Sequence, residues 1–339
     1  MSFSKLVGRW GKEDQTMTRT YLFLAAILTA MLMTAGCPAT LEGGSFTMDD
    51  DDDDATGDDD TAGDDDTTGD DDTGDDDTGE EPVITLTATY MDTCAIQTDH
   101  TVKCWGMNSY NLPGEYQQVE LSAATVCGLH LDGTIECTGY NADGQADPPE
   151  GTFIDMDMKG TFGCALRASD GTAVCWGRTD IVGNPPPGSF TDIAVTGAKA
   201  CATNTLGEVT CWGAGDTTPS SSLLGQMTGE MYHFCGLTTS DGMSCWGAEI
   251  AYSTGQEGTW DGPYESVVAG QGLSCGLTPT GYLDCYGTPD HPVYFEQPPE
   301  SLDEVVLGSL HACGITESDG SVVCWGDNNF DQLEVPTLH

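Results

Sequence analysis

Seven times along this chain a cysteine is followed, after nine or ten intervening residues, by a second cysteine, one further residue and a glycine. The stretches are CAIQTDHTVKCWG from Cys94, CGLHLDGTIECTG from Cys127, CALRASDGTAVCWG from Cys164 and CATNTLGEVTCWG from Cys201, then CGLTTSDGMSCWG from Cys235, CGLTPTGYLDCYG from Cys275 and CGITESDGSVVCWG from Cys313. Cys94 to Cys313 covers 219 residues in six steps, so the period is about 36–37 residues. Each unit reads as strand, turn, strand. Asp-Gly occupies the turn at 132–133, 170–171, 241–242 and 319–320, and Gly207 and Gly281 serve the same place in two more units. Asp-Gly between short alternating runs signals a hairpin, because tight hairpin turns need positive φ.

Another strand-like run precedes each hairpin, as in ITLTATY, FTDIAVT, YESVVAG and LDEVVLG. A polar stretch with Gly, Asn and Pro follows it, as in GYNADGQADPP and GDNNFDQLEVP. Four strands of about five residues and four connections of about four add up to about 36 residues, the observed period. Four-stranded antiparallel sheets repeated seven times predict an all-β, seven-bladed β-propeller over residues 83–339. The 257 residues after Pro82 are enough to bury about three quarters of their unfolded surface.

The pattern H-x-C-x-[LI]-x-x-x-D-G-x-V-x-C-W-G-x-N, clearest from His311 to Asn328, resembles the regulator of chromosome condensation repeat. The resemblance runs from Val83 to the C-terminus and implies a seven-bladed propeller. Thr138 and Tyr286 stand where the repeat has Trp. Cysteines at both hairpin positions depart from intracellular members of that family and resemble an exported bacterial variety.

Setting Cys37 aside leaves 14 cysteines, two per unit. Facing residues at a non-hydrogen-bonded site of an antiparallel pair have Cα atoms about 4.5 Å apart, within disulfide reach. Cysteine counting cannot choose a connectivity; the repeat symmetry chooses one bridge per blade. The expected pairs are Cys94 with Cys104, Cys127 with Cys137, Cys164 with Cys175, Cys201 with Cys211, Cys235 with Cys245, Cys275 with Cys285 and Cys313 with Cys324. Metal ligation and free buried thiols are the alternatives. Zinc favours closer C-x₂₋₄-C pairs with His partners, and only His233 and His311 recur at an equivalent place, two before a cysteine.

Trp105, Trp176, Trp212, Trp246 and Trp325 follow the second cysteine, so they point to the opposite face of the strand. They are expected to fill the space between blades, with ligand stacking as the alternative. GLSCG, Gly272 to Gly276, matches G-x-S-x-G, but a nucleophile elbow needs a strand-to-helix turn. Ser274 instead holds a repeat position filled elsewhere by Thr93, Gly163 and Ala312. The loops NADGQAD (Asn141 to Asp147) and DNNFDQ (Asp327 to Gln332) have cation-loop residues that turn chemistry also explains. His100, His130 and His291 are scattered among loop-like segments. No catalytic residue, metal site or cofactor is assigned.

The chain of 339 residues has a formal net charge of −47. From Val83 onward it has 33 acidic residues against five basic ones, Lys103, Lys159, Arg167, Arg178 and Lys199. Such a surface repels phosphate backbones, which argues against nucleic acid and nucleotide partners. Eighteen Asp and two Glu lie between Asp49 and Glu81 with no Lys or Arg. This tract has no large apolar residue to seed a core, so residues 37–82 are expected to be a disordered acidic tether. Weak Ca²⁺ association is its only cofactor-like possibility, since Asp oxygens suit hard cations.

YLFLAAILTAMLM, Tyr21 to Met33, is too short to span a bilayer as a helix. Arg19 before it and TAGC after it give residues 1–36 the layout of a secretory signal. Met17 begins a signal of more typical length. Small residues before Cys37 resemble a bacterial lipoprotein signal, which implies a diacylglycerol on that sulfur. Thr34 departs from the usual aliphatic residue, and Pro38 in place of Asp lacks the inner-membrane retention signal, which points to the outer membrane or cell surface. An ordinary secretory signal is the alternative.

These readings lead to an exported, non-enzymatic lipoprotein whose propeller binds a protein or glycan. A propeller enzyme using the central channel and a structural envelope component with a cation-responsive tether are the competing expectations.

Overall fold

The computed structural model describes residues 83–338 apart from 109, 123, 215–222, 248–254 and 256. The signal, Cys37 and the Asp tract therefore lie outside the described residues. Seven antiparallel sheets follow one another along the chain. The first three are β1 (Val83–Thr89), β2 (Asp92–Gln97) and β3 (Val102–Gly106); β4 (Tyr116–Ser122), β5 (Thr125–His130) and β6 (Ile135–Gly139); and β7 (Phe153–Lys159), β8 (Phe162–Arg167) and β9 (Ala173–Gly177). The fourth is β10 (Asp192–Val195), β11 (Lys199–Thr203) and β12 (Val209–Gly213). The fifth is β13 (Leu223–Gly229), β14 (Phe234–Thr238), β15 (Met243–Trp246) and β16 (Gly258–Trp260). The last two are β17 (Ser266–Gly270), β18 (Leu273–Leu277) and β19 (Leu283–Gly287), and β20 (Leu302–Leu307), β21 (His311–Thr316) and β22 (Val322–Gly326). Two helical turns, α1 (Thr179–Val182) and α2 (Pro292–Phe295), lie in the connections.

The first strands of the sheets lie against one another in chain order, and β20 returns to β1. They form the inner wall of a closed ring, a β-propeller. The first and last sheets share no strand, so the ring closes through contacts between sheets. Glu304 Oε1 accepts from Leu86 N and Thr85 Oγ1, both at 2.8 Å. Trp105 Nε1 donates to Gln332 O at 2.9 Å, and Ser309 N donates to Tyr90 O at 2.9 Å.

Among the described residues the expectation of four strands per blade holds only for the fifth sheet; the other six have three. In the second and seventh sheets local side-chain bonding accounts for the difference. After β6, Asn141 Oδ1 accepts from Ala146 N and Gln145 Oε1 from Asp143 N, both at 2.9 Å. After β22, Asn328 and Gln332 make the same bonds to Leu333 N and Phe330 N. These side chains fold the segment on itself and so compete with a ladder. A loop of that length fits the 36-residue period as well as a strand does.

Inside each hairpin the two cysteines face each other in register, with Cα atoms 4.0–4.1 Å apart. The bonded pairs are Cys94–Cys104, Cys127–Cys137, Cys164–Cys175, Cys201–Cys211, Cys235–Cys245, Cys275–Cys285 and Cys313–Cys324. The two ends of a bridge are not equivalent. The first cysteine of every pair is buried on the middle strand. Its partner stands on the third strand, and Cys104, Cys137, Cys175, Cys211, Cys285 and Cys324 are only half-buried there. Cys245 is the exception, at 4% exposure, because a fourth strand covers it by pairing Gly258 opposite.

The hairpin turns are longer than two residues. In the second unit His130 O accepts from Gly133 N and His130 N donates to Thr134 O, so Gly133 closes a three-residue loop at φ +87°. At 241–242 the special conformation moves to Asp241, at φ 59°, because Asp241 is the third loop residue there. Asp tolerates the left-handed region better than most side chains.

The glycine after each second cysteine ends the outer strand at positive φ, from +81° at Gly177 to +138° at Gly287. A Cβ on Gly326 would stand 2.4 Å from Leu310 O, the carbonyl of the turn beside it. Gly106, Gly139, Gly177, Gly213 and Gly287 face the equivalent carbonyl at 2.1–2.6 Å. The strand thus stops where the backbone must approach that turn closely. Gly144, at φ +79°, has no neighbour nearer than 3.9 Å, and its equivalent in the seventh unit is Asp331. Gly326→Ala should therefore cost about 3 kcal/mol, strain plus overlap, whereas Gly144→Ala should cost about 1 kcal/mol from the backbone alone. Urea unfolding of the oxidised variants measures both.

Candidate functional site

Each sheet has two unlike faces, and their meeting builds the ring. One face carries the cystine. The other carries the residue after the second cysteine. Trp105 packs with Cys313 and Ile315 of the seventh sheet, and Cys324 lies against the same cluster. Trp176 packs with Cys127, Leu129 and Cys137 of the second sheet, and Trp325 with Leu273, Cys275 and Cys285 of the sixth. Trp246 packs with Cys201 and Cys211 of the fourth sheet, and Trp212 joins Phe162, Cys164 and Cys175 of the third. In the remaining two, Cys94 and Cys104 meet Leu112, Tyr110 and Tyr116, which fill the gap where Thr138 replaces Trp. Cys235 and Cys245 meet Tyr264 and Tyr286, and Trp260 stacks on the Tyr286 ring with centroids 4.3 Å apart. All seven cystines thus sit between sheets. Trp105, Trp176 and Trp325 also donate their indole N–H to the outer loop of the preceding blade, at Gln332 O, Gln145 O and Val293 O.

Toward the axis several inner strands carry polar side chains on the forward face. These side chains bond the open edge of the next inner strand, whose backbone has no ladder partner on that side. Gln118 bonds both the N–H and the C=O of Met156. Asp155 Oδ2 accepts from Ile193 N at 3.1 Å, and Asp157 Oδ2 from Val195 N at 2.7 Å. Ser122 Oγ donates to Gly160 O at 2.7 Å. Register shifts in the β1–β2, β4–β5, β7–β8 and β20–β21 pairs fall just before Thr85, Gln118, Asp155 and Glu304. A bulge re-aims the residue that follows it; Gln118, Asp155 and Glu304 reach across to the next blade, and Thr85 donates to Glu304 of the preceding one. Asp155, Asp157 and Glu304 are therefore committed to backbone amides.

One buried ion pair breaks this order. Two residues beyond the position facing each first cysteine stand Thr89, Ser122, Lys159, Thr196, Glu230, Gly270 and Gly308. Lys159 Nζ lies 3.7 Å from Glu230 Oε2, and both are buried. The pair joins the third and fifth blades past the fourth. Burial pushes the Glu230 carboxyl above the usual range, against the pull of Lys159. Lys199 Nζ donates to Gly247 O at 2.6 Å close by in the chain of turns. This pair was not singled out in the sequence; aligning the units shows it as two charges in a column of small residues.

Ser274 and His233 do meet, at 2.8 Å between Oγ and Nε2, but both are fully buried between the fifth and sixth blades. The same contact recurs at 2.9 Å between Thr93 Oγ1 and His311 Nε2, joining the first and seventh. Repetition with Thr identifies a strut between blades, and no strand-to-helix turn underlies Ser274. His291 Nε2 donates to Ser309 O at 2.8 Å, His130 lies 3.2 Å from Glu136 Oε2, and His100 Nδ1 lies 3.3 Å from Tyr116 O. The three do not converge. Among the described residues no cluster of three or more His, Cys, Asp or Glu has metal-binding geometry. A shallow cavity of about 320 Å³ beside the fifth and sixth blades is lined by Pro263, Tyr264, Pro279, Asp261 and Asp284.

The comparisons with known proteins fit this architecture. Residues 303–332 match the regulator of chromosome condensation (RCC1) repeat. The chain carries the regulator of chromosome condensation repeat. The ectodomain of the Arabidopsis thaliana receptor kinase ACR4 is similar at 20% identity and TM-score 0.62, over 74% of this chain and 98% of that one. The Physcomitrella patens receptor kinase CR4 ectodomain is similar at 21% identity and TM-score 0.58, over 71% and 73%. Prp20p from Saccharomyces cerevisiae is similar at 12% identity and TM-score 0.55, over 70% and 83%. These likenesses are of fold. The seven cystines also indicate an oxidising environment for this member. No helix among the described residues is long and apolar enough to cross a membrane.

The buried polar groups make stability depend on pH and on charge pairing. Desolvation pushes His233 and His311 down to about 4 from 6.5. They fold neutral, so their contribution is whole above pH 6.5 and is lost as pH falls toward 4, when the unfolded chain takes up protons first. Urea midpoints should fall across that window, and His233→Gln should flatten the fall. For the ion pair, Lys159→Met or Glu230→Leu alone should cost about 3–5 kcal/mol, and the double variant should recover most of the loss; a double-mutant cycle reads this directly.

Proposed function

We propose that this chain is an exported, non-enzymatic display scaffold: residues 1–36 a signal, Cys37 a lipid anchor at the outer membrane, 37–82 an acidic tether, and 83–339 a propeller that binds a protein or glycan partner. The seven cystines, one within each blade, carry the reading, because they suit an oxidising compartment and staple the hairpins of a ring whose loops are free to vary. Commitment of Gln118, Asp155, Asp157 and Glu304 to backbone groups supports binding over chemistry in the channel. Prp20p, with its binding properties towards Gsp1p and histones, illustrates what a related ring can do.

Expression of the full chain in a bacterium with an outer membrane tests this. An alkyne-labelled fatty acid should label the wild type and not Cys37→Ser, which should leave the membrane fraction. Thiols in the propeller should resist alkylation until reduced. Free thiols in the wild type, or a label that survives Cys37→Ser, would remove the exported lipoprotein from consideration.

A further inference from the structure

The ends of the ring are not uniform. At the end formed by the turns between first and second strands, the third, fourth and sixth blades present small or polar residues: Gly160 and Thr161, Gly197 and Ala198, Gln271 and Gly272. At the seam between the last and first blades, four large apolar side chains stand in or beside the equivalent places, and Tyr140, at Met107's place in the neighbouring second blade, is 55% exposed. Tyr90 is 49% exposed, Met107 58%, Leu310 43% and Phe330 38%. Backbone bonds knit their segments together. Ser309 N donates to Tyr90 O, Met107 N to Met91 O and Asp327 N to Leu310 O. The Phe330 loop is fixed to Trp105, two residues before Met107, through Gln332 O.

The rim of this patch is acidic. Asp290, Asp331 and Glu334 are exposed on the adjoining loops, and His291 ties the Asp290 loop to Ser309 O at 2.8 Å. Residues 89–92, 107–111, 288–291, 308–311 and 327–334 contain no Lys or Arg. Side chains this large cost free energy when left in water, and clustered exposure marks interaction surfaces. We propose that the seam is the docking surface of the scaffold, and that its partner is a protein presenting an apolar anchor flanked by Lys or Arg. This rests on the reading of the propeller as a binding scaffold. Charge decides against a second copy: with a net charge of −47 on the chain, a two-fold contact would set acidic rim against acidic rim.

The probe is a pair of synthetic peptides alternating Leu or Trp with Lys, or with Glu in every Lys position, titrated by fluorescence anisotropy into the oxidised full chain. The Lys peptide should bind, the Glu peptide should not, and added salt should weaken binding. Leu310→Ser with Phe330→Ser should weaken the Lys peptide at least about tenfold, or about 1.4 kcal/mol. Leu206→Ser, at a residue 78% exposed in a hairpin turn at the opposite end, should leave it unchanged. Unchanged melting temperatures establish that both variants fold. Equal binding by wild type and the seam variant, or no binding of the Lys peptide, would overturn the proposal. So would a wild-type dimer in sedimentation that the seam variant abolishes, which would make the occupant a second copy. Crosslinking of a basic protein to the hairpin end would remove the seam and leave the scaffold reading standing.

Discussion

Each sheet in this protein is too small to bury its own faces, and the structure depends on pressing the cystine of one sheet against the aromatic face of the next. A single hairpin is marginal alone, and a small sheet needs its apolar face covered. Stacked in a ring, every sheet covers a neighbour on both sides, and Cys313 beneath Trp105 closes the cycle. The bridge shortens the hairpin's unfolded ensemble and also supplies a compact apolar surface for the next blade. One covalent device therefore serves both the hairpin and the interface.

The axial side has the opposite problem. An inner strand has hydrogen-bonding groups on an edge with no strand to meet them, and an unmet edge invites aggregation. Here the preceding blade supplies Gln118, Asp155, Asp157 or Glu304 to that edge. The polar alternation of the inner strands is thus an inter-blade bonding pattern. The same arrangement accounts for ring closure without a shared sheet, since Glu304 does for the seventh and first blades what Asp155 does for the third and fourth. With cystines between blades and carboxylates holding the inner edges, what is left to vary is the ring's two ends.

Much of the fold was legible. The sevenfold spacing of cysteines, the hairpin between them and the strand before them predicted an all-β ring, because period-two alternation and turn chemistry are local. The glycine after Trp marked a close approach, although its partner, the carbonyl of a neighbouring turn, lies some 15 residues away in the chain. In the second and seventh units the fourth strand was misjudged because length arithmetic cannot distinguish a strand from a loop closed by Asn and Gln. The same error hid the unequal burial of the bridges, since among the described residues only Cys245 has a further strand beside it. The candidate site was less legible. Lys159 and Glu230 are 71 residues apart in sequence, and only the ring brings their side chains together.

The sequence alone determined the unit: its strands, its turn, the pairing of facing thiols within a hairpin and the acidic character of the surface, all set by residues within about a dozen positions of one another. The tertiary structure decided which face of each unit meets which neighbour and which polar side chains complete a foreign backbone edge. It also turned Ser274 into a strut and joined Tyr90, Met107, Leu310 and Phe330 at one seam. These are relations between distant repeats, and the physical reason they stayed hidden is that a repeat written along a line does not say how far each copy turns before the last meets the first.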